Sequence, residues 1–273
     1  MVSLILEVFI CGGKNKKNRK ILSTFYFEVL HMKASVFLLA AILFISICIC
    51  GCSSKSSEIE YNSVQKISVI VFADKMQIAE KVAMYLEDEP GFNIFPTDDI
   101  QDLDSIRLRE TDVVILVPLN IPSIPNYIAL SLEDFVDKGG GVIGINNIVF
   151  NGSKLGKIFG ERGYVFPEDA RHQKLHIKLN KEYSSPISDG LPVKFALVGE
   201  KPIGVNCESK VQRIVDMFYE TSDGSIKSYC AAWSYNYGDG KTFAFVPGIT
   251  EETRYNPYVL RMIANATFWM TKN

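Results

Sequence analysis

The sequence predicts an α/β fold built on a mostly parallel, doubly wound β-sheet with helices on both faces. Short runs of apolar, largely β-branched residues recur along the chain, and amphipathic helical stretches separate them. Such runs are typical of strands that are covered on both faces, as the strands of parallel sheets are. The second half of the chain is richer in strand-like segments. We therefore expect an antiparallel β portion added to the parallel sheet.

The clearest unit lies at residues 112–147. Val113–Val117 is a continuous apolar run, and Pro118 ends the strand that this run predicts. Glycines 139–141 end the following helix, and Val142–Ile145 predicts a second buried strand. Two strands joined by a helix should be parallel, with a right-handed crossover. The helix is predicted by apolar residues at helical spacing: Ile128, Leu132, Phe135 and Val136.

Residues 67–72 predict the first strand, residues 76–86 an amphipathic helix, and residues 92–95 a short second strand. Ala73–Lys75 stands where a nucleotide-binding fold carries its glycine-rich phosphate loop, so we expect no nucleotide cofactor. The acidic stretch at residues 98–104 lacks the spacing and the central glycine of a calcium loop. It predicts a solvated connector.

Beyond the central unit, residues 154–159 predict a short helix or turn, and strand patterns follow at residues 211–218, 229–233 and 242–246. Asp239–Gly240 is a strong signal for a hairpin between the last two strands. A closing helix is predicted from about Pro257 to Met270. The order of elements favours a flavodoxin-like fold in a single domain over residues 66–273.

No metal site and no catalytic triad are predicted. His172 and His176 are four residues apart, but they lie in a strand-like run without a carboxylate at the spacing of a metal site. Both histidines also lie far along the sequence from Cys207 and Cys230. We therefore find no Ser-His-Asp or Cys-His arrangement at a credible spacing.

The N-terminal segment, residues 1–51, is interpreted as a leader. Ala34–Cys50 is an apolar run, and the small residue Gly51 precedes Cys52 and a polar tether over residues 52–65. This arrangement resembles a lipoprotein signal, which implies cleavage after Gly51 and a lipid on Cys52. An uncleaved signal anchor is the alternative reading. Residues 1–31 fit an export signal poorly, so we expect translation to start at Met32.

The predicted location is therefore the cell membrane, with the domain lipid-anchored and facing outside the cytoplasm. Residues 1–51 carry six basic and two acidic residues, which leaves 23 basic and 29 acidic residues after cleavage, a net charge of −6. An acidic domain without a basic run is a poor candidate for binding nucleic acid. The expected partners are the membrane and, beyond it, a carbohydrate or an envelope protein.

Two cysteines remain once the signal is removed and Cys52 is lipidated. Cys207 and Cys230 can form a disulfide in an oxidising compartment. The alternative is that both are buried and unpaired. Both flank predicted strands, so the pattern leaves the choice open.

Several segments, in this order and spacing, resemble the trehalose-utilisation (ThuA-like) family of the class I glutamine-amidotransferase-like superfold. The resemblance runs from Asp112 nearly to the C-terminus and implies that fold for the domain. The matching segments are Asp112–Val117, Leu132–Val136 with Gly139–Gly141, Ser185–Pro192, Ala231–Trp233 with Tyr237–Lys241, and Pro247–Gly248.

The sequence departs from this family at the positions that carry chemistry. In the amidotransferases a nucleophilic cysteine follows the strand that matches Val142–Ile145, and sugar-related relatives have a histidine there. Asn146 stands at that position, and an amide cannot form an acyl-enzyme. A second family histidine matches Ile249, and only Glu200 remains near the family's acidic pair. The resemblance thus implies a fold without its usual reactive groups.

Four residues are candidates for ligand contact, Asn146, Asn147, Glu200 and Trp233, with Tyr235 as an alternative to the last. The amides of Asn146 and Asn147 can hydrogen-bond a sugar hydroxyl, and Glu200 can accept from one. Trp233 or Tyr235 can stack on a sugar ring, although a tryptophan in an Ala-Ala-Trp strand is often a core residue. We predict a non-catalytic module that binds a carbohydrate-type ligand or an envelope protein. The alternative is a carbohydrate-active enzyme that uses Glu200 and Asn146.

Overall fold

The computed structural model describes residues 66–117, 124–145, 154–160, 173–180, 182, 184–199, 210–220, 224–247 and 250–272. Residues 64–273 form one compact unit. The predicted signal segment, the tether and Cys52 lie outside the described residues, so those expectations stay predictions. Within the described ranges, no helix has the length and apolar character needed to cross a membrane.

A mixed sheet forms the centre of the domain, and its described strands follow the order β2-β1-β3-β4-β9-β8-β7-β5-β6. The pairs from β2 to β9 are parallel, and the pairs from β9 to β6 are antiparallel. The strands are β1 (Ile67–Phe72), β2 (Phe92–Thr97), β3 (Val113–Leu116), β4 (Gly141–Ile145), β5 (Gln173–Leu179), β6 (Lys194–Gly199), β7 (Gln212–Glu220), β8 (Ile226–Tyr237) and β9 (Gly240–Phe245).

Helices cover both faces of the parallel half. The helices are α1 (Met76–Glu87), α2 (Asn126–Asp137), α3 (Lys154–Ile158), α4 (Glu251–Arg254) and α5 (Pro257–Met270). Buried residues of α1 and α5 belong to one hydrophobic cluster, and those of α2 and α3 belong to the other. The predicted doubly wound arrangement, with its antiparallel addition, is therefore confirmed.

The central strands are apolar throughout because each of their faces is covered. In β3, Ile115 packs into the cluster on the α1 side, whereas Val114 and Leu116 pack into the cluster on the α2 side. All three side chains are fully buried. Successive side chains of a strand point to opposite faces, so a strand between two helical layers needs apolar residues at every position.

One strand escaped the sequence prediction. β6 lies at the outer edge of the sheet, and its side chains alternate poorly between apolar and polar types. Only Leu197 and Gly199 of this strand are buried, and Val198 is 46% exposed. An edge strand with one covered face gives a weak sequence pattern, so β6 becomes recognisable only through its pairing with β5.

The acidic connector after β2 uses its carboxylates to organise the chain locally. Asp98 accepts a hydrogen bond of 3.2 Å from the backbone N–H of Met76, at the start of α1. Asp102 accepts from the hydroxyl of Thr97 at 2.5 Å. The carboxylates therefore hold a turn and a helix start. Across the ranges that the structure describes, no three His, Cys, Asp or Glu side chains are grouped as metal ligands.

The hairpin between β8 and β9 packs against the C-terminal end of α2. The backbone N–H of Asp239 donates to the carbonyl of Asp137 at 3.0 Å. A Cβ atom on Gly240 would lie 2.2 Å from the carbonyl oxygen of Val136, and Gly238 has a φ of +57°. The predicted Asp-Gly turn is therefore also a contact between two distant segments, and it requires glycine at both positions.

Candidate functional site

The carboxyl ends of four neighbouring parallel strands, β1, β3, β4 and β9, form the candidate site, which we call the carboxyl edge. Strand register sets these ends level: Phe72 pairs with Leu116, Leu116 with Gly144, and Ile145 with Phe245. In open α/β sheets, ligands bind in the crevice beyond the carboxyl ends of the strands. This edge is therefore where the topology favours a binding site.

One aspartate lies at the described part of this edge, and a second follows the neighbouring strand β2. Asp74 follows β1 and is half-buried, so a carboxylate stands directly beyond the strand end. Asp98 follows β2 and is occupied by the hydrogen bond to the first turn of α1. The first aspartate thus belongs to the edge itself, whereas the second positions the helix that begins there.

The segment after β9 carries a buried cation, Arg254, and a phenol, Tyr255. Arg254 is only 1% exposed, although its sequence context is polar. Its guanidinium lies 5.6 Å from the ring centre of Tyr255, and Lys81 Nζ of α1 lies 4.9 Å from the same ring. The hydroxyl of Tyr255 is buried and has no hydrogen-bond partner among the described residues. These contacts join α1 to the C-terminal end of α4.

The end of β6 is tied to this segment by two threonines. Thr250 and Thr253 donate from their hydroxyls to the carbonyl oxygen of Val198, at 2.7 Å and 2.5 Å. Thr250 also accepts from the backbone N–H of Thr253 and so caps α4. The chain therefore leaves β6, one residue before Glu200, directly beside the start of α4.

Sequence reasoning did not identify Thr250, Arg254 or Tyr255. The sequence signal that could have identified them is their position shortly after a predicted buried strand. A Thr-Glu-Glu-Thr-Arg segment has the composition of a solvated turn. The burial of Arg254 depends on tertiary packing, which such a pattern does not contain.

Three of the predicted ligand residues lie outside the described residues: Asn146, Asn147 and Glu200. Their roles stay predictions. The strand that leads to the first of them is present as predicted, because β4 ends at Ile145 and Asn146 is the next residue in the chain. In the sequence, the residue that follows this strand end is therefore an amide.

Trp233 is placed in the core rather than in a cleft. Its side chain is fully buried, and its indole N–H donates to the carbonyl oxygen of Phe159 at 2.9 Å. Tyr235 lies against Gly160, close enough that a Cβ on that glycine would be 2.8 Å from the ring. A sugar has no access to the ring of Trp233, because the core encloses it on all sides. We therefore leave Trp233 out of the proposed site.

Cys230 lies in β8, is 2% exposed and takes part in a disulfide bond. Its partner is not among the described residues. Cys207, the predicted partner, also lies outside them. The identity of the pair therefore stays a prediction, while the oxidised state of Cys230 is part of the structure.

Two grooves lie away from the carboxyl edge. One, of about 490 Å³, is at the amino ends of the parallel strands and is lined by Arg109, Asp112 and Lys138, among others. The other, of about 860 Å³, lies on the antiparallel half and is lined by residues of β5, β6, β7 and β8. Neither contains a residue that the sequence had singled out as a ligand contact.

The fold defines the class of protein as flavodoxin-like, with the architecture of the class I glutamine amidotransferases. A putative ThuA-like protein from Bacteroides uniformis matches with a TM-score of 0.59 at 18% identity, over 75% of this chain and 91% of that one. A glutamine amidotransferase from Thermotoga maritima matches with a TM-score of 0.52 at 10% identity, over 77% of this chain and 100% of the other.

A cytoplasmic protein from Salmonella typhimurium matches with a TM-score of 0.54 at 11% identity, over 75% of this chain and 99% of that one. At these identities the similarity concerns the fold alone. The sequence model of the ThuA family, described as trehalose utilisation, matches residues 65–270. The chain therefore belongs to the ThuA family. Among curated proteins, no sequence matches it.

Proposed function

We propose that this ThuA-family protein is a lipid-anchored, extracytoplasmic module that binds a carbohydrate-type ligand at the carboxyl edge without transforming it. One observation carries the proposal: β4 ends at Ile145 and is followed by Asn146. An amide side chain donates and accepts hydrogen bonds but does not act as a nucleophile or a general base at neutral pH. We therefore expect the carboxyl edge to present hydrogen-bonding groups that recognise a ligand, at the position where amidotransferases have a reactive side chain.

The location rests on two separate features. The segment Cys50-Gly51-Cys52, after an apolar run, supports a lipid on Cys52. The disulfide at Cys230 supports an oxidising compartment, because thiols in the cytoplasm are kept reduced. An envelope protein is the second type of partner that this location favours, and nucleic acid is disfavoured by the net charge of −6 after cleavage.

The ligand proposal is tested by a thermal-shift panel of neutral sugars and sugar acids on the purified protein. We expect one ligand class to raise the melting temperature, no product to form, and Asn146→Ala and Glu200→Ala to lose the shift. Asn93→Ala, an exposed amide on β2, is the matched control and should keep it. If no sugar shifts the melting temperature, the carbohydrate proposal is wrong, and cross-linking in native membranes would then address an envelope protein.

A carbohydrate-active enzyme is the second candidate, and the bonds from Thr250 and Thr253 to Val198 favour it. They fix the end of β6, the strand that precedes Glu200, against the start of α4, and a carboxylate on a fixed backbone can serve as a general acid or base. Sugar conversion that Glu200→Ala abolishes would establish this second function in place of the first.

The anchor is tested separately by metabolic labelling of cells with a fatty acid that carries an alkyne. We expect the protein to take up the label and to sediment with membranes, and Cys52→Ser to lose both properties. A label retained by Cys52→Ser would overturn lipidation at that cysteine. Mass spectrometry of the mature N-terminus distinguishes cleavage after Gly51 from an uncleaved anchor.

A further inference from the structure

An exposed groove crosses the antiparallel half of the sheet, away from the carboxyl edge. It has a volume of about 860 Å³, and we call it the lysine groove after Lys174, Lys178 and Lys194, which line it together with Phe218. Alternate residues of β5 define its face, because Leu175 and Ile177 are buried whereas Lys174, His176 and Lys178, which alternate with them, are exposed. The groove is thus on the solvent side of strands whose other side faces the core.

The pairing of β5 with β6 and β7 determines which residues form the floor and the borders of the groove. On β5, His176 lies opposite Ala196 of β6 on one side and Phe218 of β7 on the other. Lys174 and Lys178 flank this row, each two residues from His176 along the strand. This row of Ala196, His176 and Phe218 therefore forms the floor, and the two lysines lie at its borders.

The charges along this groove are not balanced. Lys178 and Lys194 are direct cross-strand partners, an arrangement in which like charges oppose each other and destabilise the sheet. Asp216, on the other side of Lys178, binds Arg213 at 2.6 Å. No lysine of the groove forms an ion pair with a carboxylate of the described residues. An anionic ligand would offset this repulsion.

We propose that the lysine groove binds an anionic oligosaccharide, of the kind built from uronic acid units. Lys178 Nζ lies 5.9 Å from the centre of the Phe218 ring, so a cation borders an apolar ring face. The C–H face of a sugar ring packs on such a surface, and the sugar carboxylates face the ammonium groups. This site is separate from the carboxyl edge and does not depend on the function proposed there.

A membrane surface is the other anionic partner to consider, and the shape of the groove disfavours it. Basic segments that bind bilayers present their cations on a broad or protruding surface. Here the ring of Phe218 is recessed, and Glu220 adds a carboxylate at one end of the groove. A linear polyanion fits a recess, whereas a bilayer does not.

Calorimetric titration of the purified protein with oligogalacturonate tests the proposal, with a neutral oligosaccharide of the same length as the reference ligand. We expect oligogalacturonate to bind, the neutral sugar not to bind, and salt to weaken binding because the cations are exposed. The double variant Lys178→Gln/Lys194→Gln should bind about tenfold more weakly. Its melting temperature should not fall, because the substitution removes a like-charge pair.

Lys138→Gln is the matched control, since this exposed lysine lies on α2's C-terminal side and not in the groove. It should bind as the wild type does, and so should Glu200→Ala, which separates this site from the carboxyl edge. The proposal is overturned if oligogalacturonate fails to bind, if the neutral sugar binds equally well, or if the double variant binds unchanged. It is equally overturned if vesicles of phosphatidylglycerol bind and oligogalacturonate does not.

Discussion

Thr250 donates a hydrogen bond of 2.7 Å to the carbonyl oxygen of Val198, and this bond joins the end of β6 to the segment that follows β9. Three strands separate β6 from β9 in the sheet order. The segment that follows β9 therefore contacts a strand that is not its neighbour in the sheet. The same contact fixes the end of β6, which the sequence pattern did not predict.

Replacing Thr250 with alanine should destabilise the domain by about 2 kcal/mol, because it removes the cap of α4 and one bond to Val198. Urea denaturation measures the loss. Thr271→Ala is the control: its hydroxyl bonds the carbonyl of Phe268 at an exposed site, so the change should stay within about 0.5 kcal/mol. Equal effects of the two variants would show that the contact with β6 contributes nothing to stability.

Gly240→Ala should lower the free energy of unfolding more than a substitution that only strains the backbone of a turn. The added Cβ would lie 2.2 Å and 2.3 Å from the backbone oxygens of Val136 and Gly140, neither of which can rotate away. We expect a loss of about 3 kcal/mol, at the upper end of the usual effect of overpacking. The measurement is again the free energy of unfolding in urea.

Gly224→Ala is the control for this variant. Gly224 has a φ of +80° and nothing within 4 Å of an added Cβ, so the change adds backbone strain without a collision. That strain amounts to about 1–2 kcal/mol. If Gly240→Ala proves no worse than Gly224→Ala, the hairpin does not depend on its close packing against α2.

The parallel core was predictable because its strands are buried on both sides and so are apolar at nearly every position, with Ser68 of β1 as an exception. Val113–Leu116 and Ile67–Phe72 are examples that the structure confirms. β6 was missed because an edge strand with one covered face carries little of that pattern. The strength of the sequence signal thus follows the number of faces that each strand buries.

The candidate site was less predictable than the fold. The topology alone locates the carboxyl edge, but nothing in the polar sequence around Arg254 predicts that this side chain is only 1% exposed. Trp233 is the opposite case. Its aromatic ring suggested stacking on a sugar, but the core encloses this side chain. Residue type and strand position do not determine which face of a ring is open to solvent.

The last prediction concerns a carboxylate shared by two donors, Glu133 of α2. Its Oε1 accepts from the hydroxyl of Tyr237 at 2.6 Å and from the ammonium group of Lys157 at 2.5 Å. The hydrogen bond to Glu133 is the main reason that the pKa of Lys157 is raised. The same carboxylate raises the pKa of Tyr237, against an opposing effect of Lys157.

Because both pKa values are raised by folding, the folded state holds these two protons more tightly than the unfolded chain does. Their stabilising effect is complete below the unfolded pKa values, about 10 for tyrosine and 10.4 for lysine, and is lost as the pH rises through the folded ones. The free energy of unfolding should therefore decline above a pH of about 10. Tyr219, whose pKa burial raises, adds to the same decline.

Glu133→Gln should make that decline shallower, because Tyr237 and Lys157 then titrate closer to their unfolded values. Urea denaturation at a series of alkaline pH values gives the slopes to compare. Asp134→Asn is the matched control: it removes the neighbouring carboxylate, whose ion pair with Lys138 has partners that are 56% and 72% exposed. Exposed pairs contribute little, so its slope should equal that of the wild type. A Glu133→Gln slope as steep as the control's would mean that the shared carboxylate does not govern the alkaline loss of stability.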